Sequence, residues 1–405
     1  MKIEVDTVKG FQDFLPPESL KRQAVKNLIE KYFKLYGFLP VETPVIELDE
    51  LMRSDLGDEA VSDRFKLKDR GGRNLGLRYE FTFQLKRVLR QNPNIKMPFR
   101  RYQIGEVFRD EPIGPGRFRQ FTQCDADIIG DSSIDADAEC LALISDILKE
   151  LKIEAEIQVN NRRLLSAIIE SVEIPDKANI MKTLDKLDKV GEDAVKSELR
   201  KYADGNQIIT LFKLLEKPLE FFEKNAFDGA KELEELIEKA EMYGVKAKFA
   251  PFMIRGMGYY TGSIFEVKQP NGKLTIAAGG RYDKVVGQLL DRQIPAVGIS
   301  FGLDRVAELA NIKQEALPKV LLLSINEDKE MIKLAKKLRK ESVSCLAFSD
   351  KPGKALEYAN AAGIPFVVFI GEEEIKKKKF KLRDMKSGAE KELTEKQLIS
   401  FLKMK

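Results

Sequence analysis

Residues 99–128 constrain the fold more than any other stretch, because they read as two strands joined by a loop that contains Gly114, Pro115 and Gly116. Successive side chains of a strand point to opposite faces. One face of the second strand is therefore mostly apolar, and the other carries a mixed polar set: Arg117, Arg119, Phe121, Gln123, Asp125 and Asp127. This mixture packs poorly and favours a polar ligand, although an edge hairpin with a solvated charged face is an alternative.

Length and composition predict a globular chain of two or three domains. A chain of 405 residues is longer than one hydrophobic core of ordinary size supports. Of these residues, 43% are hydrophobic and 33% are charged. No apolar run is long enough to span a bilayer, and the first residues lack the pattern of a signal peptide, so we expect a cytoplasmic protein without membrane contact. With a net charge of +4, any nucleic-acid binding must come from local basic patches.

Cysteine and histidine usage limits the chemistry that the chain can perform. Cys124, Cys140 and Cys345 are widely spaced in apolar surroundings, which indicates reduced core thiols and no protein-built metal site. Histidine is absent from the sequence. Acid-base and nucleophilic roles must therefore fall to other side chains or to the substrate itself.

The N-terminal part predicts a helix followed by an edge strand. A helical pattern of apolar residues runs from Leu20 to Tyr36. Residues 38–46 then read as a strand, but Pro40 and Pro44 lack the backbone donor that a central strand needs. We therefore expect this strand at a sheet edge or at a subunit interface.

A hairpin is predicted over residues 63–73, followed by a strand that runs into a helix with Glu80 and Thr82 at the junction. A helix N-terminus offers free backbone amides, and the carboxylate is suited to an amine. The junction therefore predicts either a ligand-binding corner or a simple helix cap. A second helix is predicted from about Ala136 to Leu151.

Residues 161–247 are rich in Lys, Glu, Asp and Leu with helical spacing, which predicts a helical insertion with solvated charges. Strands return over residues 247–310, where glycine-containing strand ends are followed by Arg255, Arg281 and Arg305. Glycine allows close backbone approach and arginine binds phosphate, so these ends suit a polyphosphate. Glycines that simply mark turns are the alternative explanation.

The segment after Pro318 changes to continuous apolar strands that alternate with helices. This pattern predicts a separate α/β domain whose sheet has parallel pairing and is covered on both faces. Residues 372–388 are predicted to form an exposed basic ribbon, which either faces phosphates or is an edge strand guarded by lysines.

Three motifs resemble those of class II aminoacyl-tRNA synthetases. GFLPVETPVIE resembles the dimer motif, VFRDE with GRFRQF resembles the second class motif, and GISFGLDR, which ends in Arg305, resembles the third. Two further motifs, RGMGYYTGSIFEV and AAGGRYD, resemble those specific to the histidyl-tRNA synthetases. The resemblance to this family covers essentially the whole chain.

The resemblance implies an α+β fold, with an antiparallel catalytic sheet flanked by helices. Residues 1–160 and 248–316 would form the two parts of the catalytic core, residues 161–247 a helical insertion domain, and residues 317–405 an α/β anticodon-binding domain. The implied activity uses ATP and Mg²⁺ to activate L-histidine and then transfers it to tRNA(His). The implied assembly is a homodimer.

Matching positions carry the family's functional residues onto this sequence. Catalysis would belong to Arg109 and Arg255, which approach the α-phosphate from opposite sides. Histidine would be bound by Glu80, Thr82, Gln123, Asp127, Tyr259 and Tyr260, with Asp127 and Tyr260 at its imidazole. ATP would be bound by Arg109, Glu111, Arg117, Phe121 and Arg305, with Phe121 stacked on adenine.

Three positions depart from the family pattern: Thr122 replaces a frequent His, Asp127 replaces Glu, and Gly258 replaces Asp. Other classes of protein also remain open. They are a catalytically silent regulatory subunit of ATP phosphoribosyltransferase, a synthetase for proline, threonine or glycine, and a nucleic-acid-binding module. The presence of Arg255, AAGGRYD and residues 318–405 favours the histidine enzyme.

Overall fold

A computed structural model of the chain describes residues 5–52, 63–114, 116–255, 258–270, 274–312 and 318–404. The chain divides into two compact units, residues 1–312 and residues 313–405. Each unit has a sheet and a hydrophobic core of its own. No helix within the described ranges is long and apolar enough to cross a membrane.

Strands and helices alternate irregularly along the first unit. Its described strands are β1 (Leu39–Pro40), β2 (Ile46–Leu48), β3 (Lys66–Lys68), β4 (Asn74–Leu77), β5 (Phe99–Phe108), β6 (Gln120–Ile129), β7 (Glu156–Asn161), β8 (Ala247–Phe249), β9 (Ser263–Lys268), β10 (Thr275–Arg281) and β11 (Ala296–Gly302). Its described helices are α1 (Glu18–Leu35), α2 (Asp49–Met52), α3 (Thr82–Gln91), α4 (Ile134–Glu150), α5 (Arg162–Ser171), α6 (Lys177–Leu184), α7 (Leu187–Val190), α8 (Glu192–Leu199), α9 (Gly205–Leu215), α10 (Leu219–Lys224), α11 (Ala230–Met242) and α12 (Leu303–Leu309).

The main sheet has eight strands in the order β1-β5-β6-β11-β10-β9-β7-β8. Its inner strands pair antiparallel, whereas the outer pairs β1–β5 and β7–β8 are parallel. The predicted antiparallel sheet is confirmed for the inner strands. Leu39–Pro40 forms one edge of the sheet, in agreement with the expectation from the prolines.

The predicted hairpin of β5 and β6 lies within this sheet. Its pairing runs from Phe99 opposite Ile129 to Phe108 opposite Gln120. On β6, the side chains of Cys124, Ala126 and Ile128 are completely buried, and helices α1, α4 and α12 pack on β6 and its neighbours. The apolar half of the predicted alternation therefore forms the core, which leaves the polar half on the other side of the sheet.

A small second sheet, in the order β2-β4-β3, positions the junction that precedes α3. Strands β3 and β4 form the predicted hairpin, and its turn is closed by a hydrogen bond of 3.0 Å from the Gly72 amide to the Asp69 carbonyl. Helix α3 begins at Thr82, only a few residues after β4. Glu80 and Thr82 thus lie at the predicted strand-to-helix junction.

Helices α5 to α11 lie between β7 and β8 in the sequence, over the stretch predicted to be helical. Apolar residues on these helices, such as Leu164, Leu211 and Leu236, belong to the same hydrophobic cluster as the main sheet. Helix α11 also packs against α4. The boundaries of residues 161–247 as a separate domain stay a prediction.

The second unit contains β12 (Val320–Ser324), α13 (Asp328–Lys340), β13 (Cys345–Phe348), α14 (Pro352–Ala361), β14 (Phe366–Ile370), α15 (Glu372–Lys377), β15 (Phe380–Asp384), β16 (Glu390–Leu393) and α16 (Glu395–Met404). Its sheet has the order β13-β12-β14-β15-β16, and the first three strands are parallel. Alternate residues of β12 belong to two different clusters, Val320 and Leu322 to one and Leu321 and Leu323 to the other. The predicted α/β unit with both faces covered is confirmed.

The prediction of an exposed ribbon over residues 372–388 is wrong in two respects. Residues 372–377 form helix α15, and β15 lies inside the sheet between β14 and β16. The helix has Glu372, Glu373 and Glu374 in its first turn and Lys376 and Lys377 in its last turn. This charge order complements the helix dipole, so the run of like charges stabilises a helix where an extended ribbon was expected.

Gly298 on β11 provides a test of the sheet register. It pairs with Asp127 on β6, and a Cβ atom at this position would lie 2.0 Å from Asp127 Oδ1. We predict that Gly298→Ala lowers the free energy of unfolding by about 1–3 kcal/mol, because the packed sheet must shift to accept the methyl group. Urea unfolding followed by circular dichroism measures this change.

Gly205→Ala is the matched control. Gly205 begins helix α9 and has no atom within 4 Å of an added Cβ. Because alanine favours a helix over glycine, this variant should be neutral or more stable by up to about 1 kcal/mol. Equal stability of the Gly298→Ala variant and the natural chain would contradict the register described above.

Candidate active site

A cavity of about 320 Å³ opens on the polar side of β6. It is lined by residues from β6, β10 and β11, from the strand-to-helix junction before α3, and from the loop between β5 and β6. Every site residue that the family resemblance assigns contributes to its wall: Glu80, Thr82, Arg109, Glu111, Arg117, Phe121, Gln123, Asp127, Arg255, Tyr259, Tyr260 and Arg305. The structure thus brings together residues that are separated by more than two hundred positions in the sequence.

Strand alternation explains most of one wall. Phe121, Gln123, Asp125 and Asp127 follow one another on the cavity side of β6. Arg119 was predicted to share this face, but it does not line the cavity and pairs with Asp110 at 3.2 Å. The reason is that β6 begins at Gln120, so alternation does not apply to the preceding residue.

One end of the cavity is strongly positive. Arg305 donates hydrogen bonds to the Thr275 carbonyl at 2.7 Å and to the Gly116 carbonyl at 3.3 Å. Burial lowers the pKa of Arg305, and the positive charges of Arg117 and Arg109 lower it further. Three guanidinium groups that repel one another are stabilised by a bound anion, and arginine is well suited to phosphate oxygens.

Aromatic rings hold Arg109 at the boundary of this positive end. Its guanidinium carbon lies 4.3 Å from the ring centroid of Tyr79 and 5.1 Å from that of Phe121. The Arg109 amide donates a hydrogen bond of 2.8 Å to the Arg119 carbonyl, which fixes the backbone where β5 ends. Glu111 Oε1 lies 4.0 Å from Arg109 Nη1, so the aromatic faces contribute to holding this cation beside a carboxylate at the limit of an ion pair.

Arg255 approaches the cavity from another part of the chain in an unusual backbone conformation. Its φ angle is +62°, which is in the left-handed region that side chains rarely adopt. Its Nη1 atom lies 3.5 Å from Glu266 Oε1, and its buried Nε atom has no hydrogen-bond partner in the described residues. Strain of about 1–3 kcal/mol at a residue with a free donor is typical of functional sites.

The other end of the cavity is acidic and buried. The Tyr259 hydroxyl donates a hydrogen bond of 3.1 Å to Glu80 Oε2, and burial raises the pKa of Glu80 to about 7. Burial raises the pKa of Asp125 to about 8. Gln123 Nε2 donates a hydrogen bond of 2.8 Å to Ser300 Oγ.

Four acceptor oxygens at this end have no hydrogen-bond partner within the described part of the chain. They are Glu80 Oε1, Gln123 Oε1, Asp125 Oδ1 and Asp127 Oδ2, and all four are buried. A buried polar atom without a partner costs about 1–3 kcal/mol. A ligand with several N–H donors, such as an ammonium group, would satisfy these oxygens.

Asp127 lies against a buried guanidinium group and a tyrosine hydroxyl. Arg101 Nη2 lies 2.6 Å from Asp127 Oδ2, and the Tyr282 hydroxyl donates a hydrogen bond to Asp127 Oδ1. Arg101 is opposite Asp127 in the β5–β6 register and is completely buried. Sequence reasoning missed Arg101, although its alternation on β5 and its pairing with Asp127 were available signals.

The arginine predicted at Arg281 does not belong to the site. The residue is 5% exposed, its guanidinium forms an ion pair with Asp137, and it donates to the carbonyls of Asp131 at 3.0 Å and Ser133 at 2.9 Å. The expectation that Arg281 serves a polyphosphate is therefore wrong. Because β10 ends at Arg281, its side chain points into the packing of α4, whereas Arg255 and Arg305 point into the cavity.

An antiparallel sheet that carries a cavity with arginines at one end and buried acceptors at the other agrees with the class II aminoacyl-tRNA synthetase fold that the sequence motifs imply. The family profile described as "Histidyl-tRNA synthetase" matches residues 10–306, and the profile described as "Anticodon binding domain" matches residues 319–405. The chain belongs to the histidyl-tRNA synthetase family.

Known proteins show the same similarity over nearly the full length. "Histidine--tRNA ligase 1" of Bacillus cereus is 37% identical, over 96% of this chain and 95% of that protein. The crystal structure of histidyl-tRNA synthetase from Nostoc sp. PCC 7120 has a TM-score of 0.88 and 27% identity, with 100% of both chains covered.

A third similarity concerns the fold alone. A structure from Bacillus halodurans C, described as an ATP phosphoribosyltransferase regulatory subunit/histidyl-tRNA synthetase, has a TM-score of 0.76 and 21% identity, with 91% of this chain and 99% of that chain covered. The fold is therefore common to ligases and to a protein described as a regulatory subunit. The side chains of the cavity must distinguish the two.

The different positions of Arg281 and Arg305 generate opposite expectations for stability. Arg281→Gln should lower the free energy of unfolding by about 3–5 kcal/mol, because it leaves the buried Asp137 charge without its partner. Arg305→Gln should change it by less than about 1 kcal/mol, because it relieves repulsion from Arg109 and Arg117. Urea unfolding of both variants measures the contrast, and similar losses in the two would contradict the assignment of Arg281 as structural.

Proposed function

We propose that this chain joins L-histidine to tRNA(His) in two steps that consume ATP. Histidine and ATP first form histidyl-adenylate and pyrophosphate, and histidine is then transferred to the terminal ribose of the tRNA. The observation that carries the proposal is a single cavity with three guanidinium groups at one end and unpartnered buried acceptors at the other. Such a cavity holds a polyphosphate and an amino acid side by side.

ATP would occupy the positive end. Arg117 and Arg305 bind the β- and γ-phosphates, which offsets the mutual repulsion that lowers the pKa of Arg305. Phe121 stacks on the adenine ring, and Glu111 lies beside the adenine edge. The Tyr79 hydroxyl donates a hydrogen bond of 3.2 Å to Glu111 Oε1, which holds this carboxylate in place.

Histidine would occupy the acidic end. Its ammonium group donates to Glu80, Thr82 and Gln123, where two of the unpartnered acceptors lie. Its imidazole lies towards Asp127 and Tyr260. Tyr259 packs against Tyr260 with a centroid distance of 4.9 Å, so the two rings form an aromatic wall beside the substrate.

Activation requires no base from the protein. The carboxylate of histidine is ionised and attacks the α-phosphorus of ATP, while pyrophosphate leaves from the opposite side. Arg109 and Arg255 stabilise the negative charge that develops on the α-phosphate, each from its own side of the cavity. The absence of histidine from the chain therefore removes nothing that the reaction needs.

Mg²⁺ is proposed to enter together with ATP. Among the described residues, no group of three or more Asp, Glu or Cys side chains is placed to enclose a metal ion. Mg²⁺ commonly needs few protein ligands when it binds to substrate phosphates. The protein's own side chains then perform positioning and charge stabilisation.

The remaining parts of the chain would serve tRNA binding and assembly. We assign the anticodon to the second unit, whose residues 319–405 match the anticodon-binding family. Helices α5 to α11 would contact the acceptor arm, and the segment that contains Pro40 and Pro44, of which only Leu39–Pro40 is a strand, would take part in a homodimer. A cytoplasmic location agrees with the need for tRNA.

Pyrophosphate exchange with each amino acid tests the proposed activation step. We expect exchange with histidine alone, and we expect Arg255→Ala to lower its rate by about 10²–10³-fold, because a group that stabilises the transition state is lost. Arg200→Ala is the matched control, since it also removes an arginine but at an exposed position that does not line the cavity. It should retain the natural rate.

The same assay separates the alternatives. Exchange with another amino acid would replace histidine as the substrate. A folded chain that exchanges no amino acid would contradict ligase activity and would favour a regulatory subunit. Circular dichroism of each variant establishes that the protein is folded.

The raised pKa of Glu80 predicts the pH dependence of the activation step. The carboxylate form is needed to accept the ammonium group, and it forms as the pH rises through about 7. We therefore expect kcat/KM for histidine to increase with pH across this range, since this ratio reports the ionisation of the free enzyme.

Glu80→Gln is the comparison, because it removes the titrating group and keeps the shape. The imidazole of free histidine ionises near pH 6.5 with both proteins, so the difference between their profiles isolates Glu80. If the two profiles have the same shape, Glu80 does not control the binding of histidine.

A further inference from the structure

The proposed mechanism places Arg255 at the α-phosphate, yet the backbone conformation of this residue is unfavourable. Its φ angle of +62° is one that a residue with a side chain adopts only where the surrounding structure holds it. Burial lowers the pKa of Arg255, whereas the neighbouring Tyr260 and Glu266 raise it, and the net change is an increase. The side chains around this guanidinium group therefore decide where it lies.

Glu266 on β9 contacts Arg255 from outside the cavity. Arg255 Nη1 donates a hydrogen bond of 3.5 Å to Glu266 Oε1, and the Thr275 hydroxyl donates to the same oxygen. Lys268 Nζ lies 3.2 Å from the other oxygen, Glu266 Oε2. The side chain of Glu266 is 13% exposed and does not line the cavity. It can therefore act on a substrate only through the groups that it holds.

Strand alternation and register explain why these groups meet. Glu266 and Lys268 share one face of β9, whereas Phe265 and Val267 on the opposite face are completely buried. Thr275, the first residue of β10, pairs with Lys268, and the register shifts directly after it. The cluster is therefore built on two paired strands, which hold side chains more precisely than a loop does.

Thr275 connects the same cluster to Arg305. Its carbonyl accepts the hydrogen bond of 2.7 Å from Arg305 Nη1, while its hydroxyl donates to Glu266. Burial and the charges of Arg117 and Arg109 lower the pKa of Arg305, and the charge of Glu266 opposes this decrease. Because the contact with Arg305 uses the backbone of Thr275, it does not require the side chain of Glu266.

Lys268 is itself held from a second side. Its Nζ atom lies 2.7 Å from Asp188 Oδ2 on α7, and its side chain is 16% exposed. Burial lowers the pKa of Lys268, but its bonds to Asp188 and Glu266 raise it, and the net change is an increase. Lys268 therefore stays charged and balances part of the negative charge of Glu266. Arg255 thus keeps positive charge for a phosphate, although a carboxylate touches it.

Resting on the function proposed above, we propose that Glu266 is a positioning residue, which holds the guanidinium group of Arg255 in place for the α-phosphate during activation of histidine. Thr275 and Lys268 fix the carboxylate, and the carboxylate fixes Arg255. A guanidinium group that is already in place needs no reordering when negative charge develops on the phosphate. The contact therefore acts on the rate of the chemical step.

A double-mutant cycle tests this link with four proteins: the natural chain, Glu266→Gln, Arg255→Ala and the double variant. Pyrophosphate exchange gives kcat and the KM values for histidine and ATP. Glu156→Gln is the matched control. Glu156 is also a carboxylate that pairs with a lysine, Lys248 at 3.1 Å, and it lies on the neighbouring strand β7, but it contacts no arginine within the described residues.

We expect Glu266→Gln to lower kcat by about 10- to 100-fold, because a small displacement of a group at the reacting atoms has an effect of this order. Both KM values should stay within about threefold of the natural ones, because the contact is needed in the transition state. In the Arg255→Ala protein the same substitution should lower kcat by less than about twofold, because the group through which it acts is gone. Glu156→Gln should keep the natural kcat.

Two results would overturn the proposal. One is a natural kcat in Glu266→Gln, and the other is an equal fold loss from this substitution with and without Arg255. Circular dichroism establishes that each protein is folded. If Glu266→Gln does not fold, Thr275→Val replaces it in the cycle, because it removes the hydroxyl that holds Glu266 and keeps the carbonyl that holds Arg305. The same two results then decide.

A natural chain that exchanges no amino acid would contradict the proposed function instead. Urea unfolding of the same four proteins then decides whether Glu266 holds Arg255, because this measurement needs no activity. The shifts in unfolding midpoint that the two substitutions cause should not add, since residues in contact are coupled. Additive shifts would count against the contact, so the two failures remain distinct.

Discussion

The ion pair between Arg101 and Asp127 governs the electrostatics of the acidic end of the cavity. Arg101 is completely buried, and its charge faces Asp127 directly and acts on Asp125 and Glu80 as well. Three carboxyl groups in one buried space would otherwise be neutral, because burial and mutual repulsion both raise their pKa values. One buried guanidinium allows part of this acidic end to ionise, and the positive charge of a bound cationic substrate favours ionisation of the rest.

Two properties of an antiparallel sheet explain how one cavity holds both charge types. Alternation places Phe121, Gln123, Asp125 and Asp127 in a row on β6, and register places Gly298 and Ser300 opposite them on β11. The arginines come from chain segments that end at the cavity, after β5, before β9 and at the start of α12. The strands of the sheet therefore place the acceptor side chains, and the segments at the ends of strands and helices place the arginines.

Sequence reasoning predicts the hairpin and the second α/β unit, because each has a local pattern of alternation or apolar runs, whereas the antiparallel sheet is predicted by the family resemblance. The same reasoning fails where a property depends on distant packing. Arg281 and Arg305 have similar local sequences, yet it is Arg281 that forms an ion pair with Asp137 on α4. Arg119 leaves the predicted face because β6 begins one residue later, and no alternation pattern marks that boundary.

The contacts of the two aspartates on β6 also show which properties the sequence indicates and which it does not. Asp125 and Asp127 are equivalent in the sequence pattern, and family resemblance favours Asp127. The structure adds the long-range contacts of Asp127, which come from Arg101 on β5 and from Tyr282, the residue after β10. Such long-range pairings are not readable from spacing along one strand.

The absence of histidine from the protein has a consequence for observing the reaction. In a complex with its proposed substrate, every imidazole signal in a proton NMR spectrum comes from the ligand, because the chain contributes none. The ring resonances of bound histidine would therefore report the charge of the surrounding carboxyl groups without isotope labelling. The protein therefore adds no imidazole signal to the spectrum of the molecule that it binds.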